Sequence, residues 1–319
     1  DNDTLTTEAG DLIQAQQGTP DGSIIFQGYI SKYVSRYGGD EKTTVTLNSY
    51  GAELDNYVIE SAGNTTLTYN SYDPSDILKN IIDLYTTDGG IVSYDTTTID
   101  DTNTVVSYTF NTSTTLDGVK KSLELAPSDW YWYLDMRNNL IHFHDRPNTP
   151  KHTFVLGKHI KELDIEQYID DITNVIYFSG GDTGGGNNLY LKFTDPTSET
   201  NYRRGLKLYS DNRVTLTDSA TIIAQSELER NSTPRYRSSV VILDRVYDIE
   251  TIELGDLVTF RNFDNYVDEL EMQVVGIDYN PNMVRLQLDT LLPRVSKRLE
   301  DIRRNLNKQE TLSNPTAPS

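Results

Sequence analysis

Cysteine is absent from the chain, which excludes a disulfide framework and a thiolate metal site. No apolar run approaches the roughly 18 residues that a membrane-spanning helix needs, and no signal peptide is visible. Positive charge is short: 28 Lys and Arg stand against 48 Asp and Glu, a formal net charge of -20. Tight or sequence-specific nucleic-acid binding requires phosphate-neutralising cations, and so does attraction to an anionic membrane, so both are disfavoured. Hydrophobic residues make up 36%, low for one compact enzyme yet too high for a disordered chain.

What fills the gap is Thr, Asn, Asp, Ser and 21 Tyr, against 8 Phe and 2 Trp. Thr and Tyr pack well across pleated, half-buried strands, so the composition leans towards β. At 319 residues the chain has room for two or three domains. It opens on Asp1 with a polar stretch to Leu12, which raises the expectation of a fragment or processed product.

Residues 23–33 (SIIFQGYISKY) and 43–49 (TTVTLNS) read as strands, joined by Tyr37-Gly38-Gly39-Asp40. A polar-apolar stretch follows through Leu54 and Tyr57-Val58-Ile59. At Asp73-Pro74 the pattern turns helical: Asp73 is an N-cap, Pro74 takes the first helical position, and Ile77, Leu78, Ile81, Ile82 and Tyr85 share one face. Gly89-Gly90 stops that helix. A second runs over 116–125 with Val119 and Leu123 inward and Pro127 beyond its end. Residues 130–134 (WYWYL) and 140–143 (LIHF) flank Arg137-Asn138-Asn139 as a β-hairpin. Residues 73–145 thus form an α+β module inside a mainly β chain.

Strands resume at Ile165. Residues 173–178 and 189–193 flank a glycine-rich loop at 180–186, and a helix over 218–230, capped by Thr217, buries Ala220, Ile223, Ala224 and Leu228. Residues 238–243, 256–260, 271–279 and 284–288 are the last strands, with Asn280-Pro281-Asn282 as the final turn. Val295, Leu299, Ile302 and Leu306 form a short a/d seam, and 313–319 (SNPTAPS) reads as linker. No tandem repeat of 20–50 residues is visible. The expected division is 1–70, the first part of an N-terminal β-barrel, truncated; 71–163, an inserted α+β module; 164–295, a second β-barrel with one helix; and 296–319, heptad helix and tail.

Candidate chemistry is thin. His142 and His144 lie two apart on a strand and face one way, so they have the spacing to share a metal with Asp145; the polar face of a hairpin is the preferred reading. His152 and His159 are isolated, with no nucleophile paired to them. The 180–186 loop lacks the Gly-Lys-Ser/Thr ending of a phosphate-binding loop and opens no helix. Asp170-Asp171 and Asp268-Glu269 are the kind of carboxylate pairs a glycosidase uses, but 48 acidic residues produce such pairs by chance. The aromatic run 130–133 has stacking surface, and packing is its preferred role. Asn64, Asn111 and Asn231 open Asn-X-Ser/Thr triplets, which matter only in a secreted chain. No catalytic, cofactor-binding or metal-binding residue is assigned.

The order of pieces carries a resemblance. Ile25-Phe26-Gln27-Gly28-Tyr29-Ile30, then Val45-Thr46-Leu47-Asn48-Ser49-Tyr50-Gly51-Ala52-Glu53-Leu54, then Asp73-Pro74-Ser75-Asp76-Ile77-Leu78, the 116–125 helix leading into 130–134 and 140–143, Asp171-Ile172-Thr173-Asn174-Val175-Ile176, the helix after Thr217, and Leu254-Gly255-Asp256-Leu257-Val258-Thr259-Phe260 follow one another over about residues 20–295. In this the chain resembles the tail hub, or baseplate hub (minor tail), proteins of tailed bacteriophages and related injection machines. The resemblance departs from the family before residue 20, where its opening strands are short or absent.

The resemblance implies two tail-tube-like β-barrel domains and a homotrimer with pseudo-sixfold symmetry, located in the virion at the tail tip and assembled in the bacterial host cytoplasm. The implied partners are a distal tail or tube protein ring, the tape-measure protein, and a tail fibre or receptor-binding tip. The expectation is that DNA passes through the lumen without sequence-specific binding and that this chain binds no membrane. It carries over no catalytic residue and no cofactor, so the expected role is structural and not enzymatic. Three copies of -20 make -60, and where enough of these charges line a channel they repel DNA and let it slide through. The alternatives are a carbohydrate-binding or depolymerising tailspike and the structural N-terminal part of a tail-associated peptidoglycan hydrolase.

Overall fold

The computed structural model describes residues 12–16, 24–36, 42–169, 171–243, 247–248, 251–263, 267, 270–280 and 283–290. The expectations for residues 1–11, the Tyr37-Gly38-Gly39-Asp40 turn, Asp170, Asp268-Glu269, Pro281-Asn282, the 295–306 seam and the 313–319 tail lie outside the described residues, whereas the stretch before residue 20 does hold one short strand, Leu12–Gln16. The chain is mainly β, with a curled half-barrel sheet, and forms two compact units, the first ending at His144 and the second starting at Asp145.

In the first unit β1 (Leu12–Gln16), β2 (Ile24–Arg36) and β3 (Lys42–Ser49) make an antiparallel sheet in that order. A 3-10 helix, Tyr50–Asp55, follows where only a polar-apolar stretch was read. β4 (Thr66–Tyr72) and β5 (Val106–Asn111) pair as an antiparallel ribbon that the sequence analysis did not find. Between them lies α1 (Pro74–Thr87), which starts where expected: the Asp73 carboxylate accepts from Ser75 N–H, and Ile77, Leu78, Ile81, Ile82 and Tyr85 are buried. α2 (Thr115–Leu125) is capped by Thr114, whose side chain accepts from Asp117 N–H.

Gly118 of α2 sits where the two helices meet, and a Cβ there would lie 2.6 Å from Ile59 Cδ1 and 2.8 Å from Ile81 Cδ1. β6 (Trp130–Asp135) and β7 (Leu140–Asp145) form the expected hairpin, with Asn139 in the left-handed region at φ 59. One core joins these parts through Leu54, Leu78, Ile82, Val119, Trp130 and Phe143. Gln27 N–H donates to Met136 O at 2.7 Å, tying β2 to the hairpin turn.

The second unit is built on a six-stranded sheet, β8-β14-β15-β16-β13-β9, formed by β8 (His152–Val155), β9 (Ile160–Tyr168), β13 (Arg235–Leu243), β14 (Leu257–Arg261), β15 (Glu271–Asn280) and β16 (Met283–Asp289). One face carries the core: Phe154, Val240, Ile242, Val258, Phe260, Met272, Val274, Val284, Leu286 and Leu288. Between β9 and β13 the chain inserts a smaller layer. It comprises β10 (Val175–Asp182), β11 (Asn188–Thr194), α3 (Pro196–Asn201), β12 (Leu206–Asp211) and α4 (Thr217–Asn231).

Strand order in this layer is β11-β10-β12, with β10 antiparallel to β11 and parallel to β12. α4 lies against β10 and β11 and buries Ala220, Ile223, Ala224 and Leu228 as read from the sequence. Its N-cap is Leu216, which makes no side-chain cap bond, so Thr217 is the first helical residue and not the cap.

The glycine-rich stretch differs from the expected loop. Gly180 and Gly181 belong to β10, packed so closely that a Cβ would lie 2.4 Å from Val214 O and 2.0 Å from Asn212 O respectively. Only residues 183–187 turn, and the Asp182 carboxylate accepts from Gly184 N–H at 2.8 Å and Gly186 N–H at 3.2 Å.

Candidate assembly surfaces

His142 and His144 do come together on β7, their Nδ1 and Nε2 atoms 3.3 Å apart. The third group is Asp100, 2.7 Å from His144 Nδ1, and not Asp145, whose side chain alternates to the other side of the strand. The His142 ring stacks on Tyr133 at 4.5 Å and 7°. Three of the four ring nitrogens, His142 Nδ1 and both of His144, are engaged with one another and with Asp100. Among the described residues no group of three or more His, Asp or Glu is placed to hold a metal ion. Trp130 and Tyr131 are both buried, Trp130 against Phe143 at 4.8 Å, so the start of the aromatic run packs and does not stack on a ligand.

His152 is not isolated. Its Nδ1 is 2.7 Å from Tyr247 Oη and its Nε2 3.0 Å from Asp256 Oδ2, and the His159 ring packs on Tyr247 at 5.1 Å. Asp256 also accepts from Glu253 N–H at 2.8 Å and pairs with Lys151 at 3.1 Å. Burial pushes its carboxyl up, but the bonds from His152, Glu253 N–H and Lys151 outweigh this and hold it below the usual range. The group brackets β8 to β14, a structural duty.

A depressed carboxylate contributes stability above its unfolded value, about 4, and loses it as pH falls through the lower folded value. Asp256→Asn is therefore expected to cost about 1–3 kcal/mol at pH 7 and to flatten the acid limb below about pH 4. Urea unfolding of both proteins at pH 7 and pH 3 checks this; an equal acid loss in the two would contradict it.

Two surfaces remain, both in the second unit. The first is the face of the six-stranded sheet opposite its core. Strand register sets Glu162, Val241, Arg285 and Asp278 in one row, and Asp164, Ser239, Gln287 and Gly276 in the next. Glu162, Asp164, Glu166, Glu271 and Asp278 are exposed on this face against Arg261 and Arg285, with Arg237 half-buried. It is polar and net acidic over an apolar core, and beyond the Leu156–Ile160 bridge its outer strands β8 and β9 each pair with one strand only among the described residues. Such strand edges are templates for pairing with another chain.

The second surface is the outer face of β11-β10-β12. The positions in register on it are Val175, Tyr177 and Ser179; Tyr190, Lys192 and Thr194; Leu206, Leu208 and Ser210, of which Val175 is fully buried. Leu208 is 75% exposed, Tyr190 66% and Leu206 55%. Sequence reasoning missed β12 altogether. Its signal was the alternation Leu206-Lys207-Leu208-Tyr209-Ser210, in which the larger apolar residues face solvent while Lys207 reaches inward to Glu227.

No protein-family model matches the chain, and no curated protein sequence matches it either. Solved structures do. Prophage tail protein gp18 from Listeria monocytogenes EGD-e is similar at 14% identity over 89% of this chain and 82% of that one, with a TM-score of 0.58. The 43 kDa tail protein of prophage MuSo2 from Shewanella oneidensis gives 16%, 90%, 83% and 0.59, and the tail protein from Neisseria meningitidis MC58 gives 12%, 84%, 81% and 0.56. The chain shares its fold with these phage tail proteins. At such identities the likeness concerns the fold, and the roles of individual surfaces rest on the geometry above.

Proposed function

We propose that the chain is a structural, non-catalytic component of a phage tail: a homotrimeric hub ring at the tail tip that joins the tail tube to a distal fibre or receptor-binding tip. The observation that carries this reading is the two-faced six-stranded sheet, apolar on one side and net acidic on the other, in a chain with the fold of tail proteins. A sheet of this kind suits the wall of a tube. Its core face is covered, its edges β8 and β9 offer backbone groups to neighbours, and its acidic face turned to a channel repels DNA and lets it pass. In this assembly the chain meets a distal tail or tube ring, the tape-measure protein and a fibre or tip.

The test is the mass of the species in solution. Sedimentation of the purified chain at tens of micromolar is expected to give three 36.1 kDa chains per particle. Monomers at every concentration would contradict the reading.

A further inference from the structure

The outer face of β11-β10-β12 differs from the acidic face of the six-stranded sheet in charge as well as polarity. Val175 in this face is fully buried, and none of the other eight positions is Asp or Glu, in a chain with 48 such residues among 319. Compare β9, where Glu162, Asp164 and Glu166 occupy successive outward positions. Its one charged side chain is Lys192, whose ammonium lies 5.7 Å from the centre of the Tyr177 ring. Arg203 and Arg204, both exposed, lead directly into β12. Apolar contact is concentrated in Leu206, Leu208 and Tyr190, with Tyr177 and Tyr190 tilted together at 6.1 Å.

Two copies of a chain carrying -20 repel one another over most of their surface. Contact between them is cheapest where carboxylates are missing on one side, so that acidic groups of the other copy meet cations and apolar area. This face meets that condition with Lys192 and Arg203 beside the leucines, while Arg204 is paired with Glu199 of its own chain at 3.6 Å. Packed against itself across a twofold axis it would set Lys192 against Lys192, so the complementary contact is head-to-tail, the kind that closes a ring. Scattered exposed leucines need no explanation, but a contiguous apolar sheet face free of carboxylate marks an interaction surface.

We infer that the outer face of β11-β10-β12 is the contact by which one copy of this chain docks on an acidic surface of the next. The inference rests on the proposed ring and assigns it one of its subunit faces. Leu208 projects into solvent, so Leu208→Glu leaves the core intact, and circular dichroism with an unchanged unfolding midpoint checks that. Lys192→Glu tests the charge component by itself.

Sedimentation of wild type, Leu208→Glu and Lys192→Glu is the experiment. The expected result is a trimer for wild type and monomer for Leu208→Glu at the same concentration. Lys192→Glu is expected to raise the dissociation constant at least tenfold at low salt, with the gap narrowing at high salt. Folded variants that remain trimeric overturn the inference while leaving the ring intact. If those trimers then fail to join another tail component, the face belongs to that component and the second-copy assignment is likewise overturned. A wild type that never trimerises is a separate result, read without the variants, and overturns the ring reading and this face with it.

Discussion

Asn174→Leu is expected to destabilise the second unit by about 3–5 kcal/mol while keeping side-chain volume nearly constant. Asn174 is fully buried at the start of β10. Its amide donates to Arg203 O at 2.8 Å and to Ser198 Oγ at 3.2 Å, and its Oδ1 accepts from Gly205 N–H at 2.8 Å. One side chain thus fixes α3 and the chain entering β12, and Ser198 passes the connection on to Ser232 O at the end of α4.

Each lost bond costs on the order of 1 kcal/mol, and the orphaned Gly205 N–H and Arg203 O add their desolvation. Leucine restores none of these bonds. The backbone offers no escape, because Gly205 already approaches Ile172 O so closely that a Cβ there would lie 1.8 Å from it. Urea unfolding followed by circular dichroism measures the effect; a loss under about 1 kcal/mol would show that the network is dispensable.

The first unit has a comparable weak point at Gly118. Glycine in a helix interior costs about 1 kcal/mol relative to alanine, so its place in α2 needs a compensating reason. The reason is contact: Ile59 and Ile81, both buried to within 1%, occupy the space a side chain would take. Gly118→Leu is expected to cost about 3 kcal/mol by overpacking, whereas Gly118→Ala is expected to lie within about 1 kcal/mol, its clash offset by helix propensity. Trp130 and Trp132 are the chain's two tryptophans and both lie on β6 of this unit, so their fluorescence reports the transition directly. A Leu variant as stable as wild type would mean that α1 and α2 have room to separate.

Both sites illustrate which parts of the fold were legible in the sequence. α1 was readable because Asp73, Pro74 and the Ile77–Tyr85 spacing are local signals within one helix. The hairpin of β6 and β7 was readable for the same reason, with Asn139 at its turn. β4, β5, β8 and β12 were not, since each is fixed by a partner distant in sequence. His152 seemed isolated because Asp256 stands 104 positions away. Gly180 and Gly181 looked like loop until Val214 O and Asn212 O were seen pressed against them.

The two surfaces follow the same rule. The acidic alternation of Glu162, Asp164 and Glu166 lies in one strand and is visible in the string. The carboxylate-free face is spread over three strands and exists only once Tyr177, Lys192 and Leu208 are aligned in register.

The most direct test of the central claim, that this chain builds a channel-forming ring, is electron microscopy of the assembled protein. The account predicts a threefold ring with an open centre, lined by the sheet face that carries Glu162, Asp164 and Glu166. Compact particles without an opening, or a ring whose centre is lined by the Lys192 face instead, would contradict it.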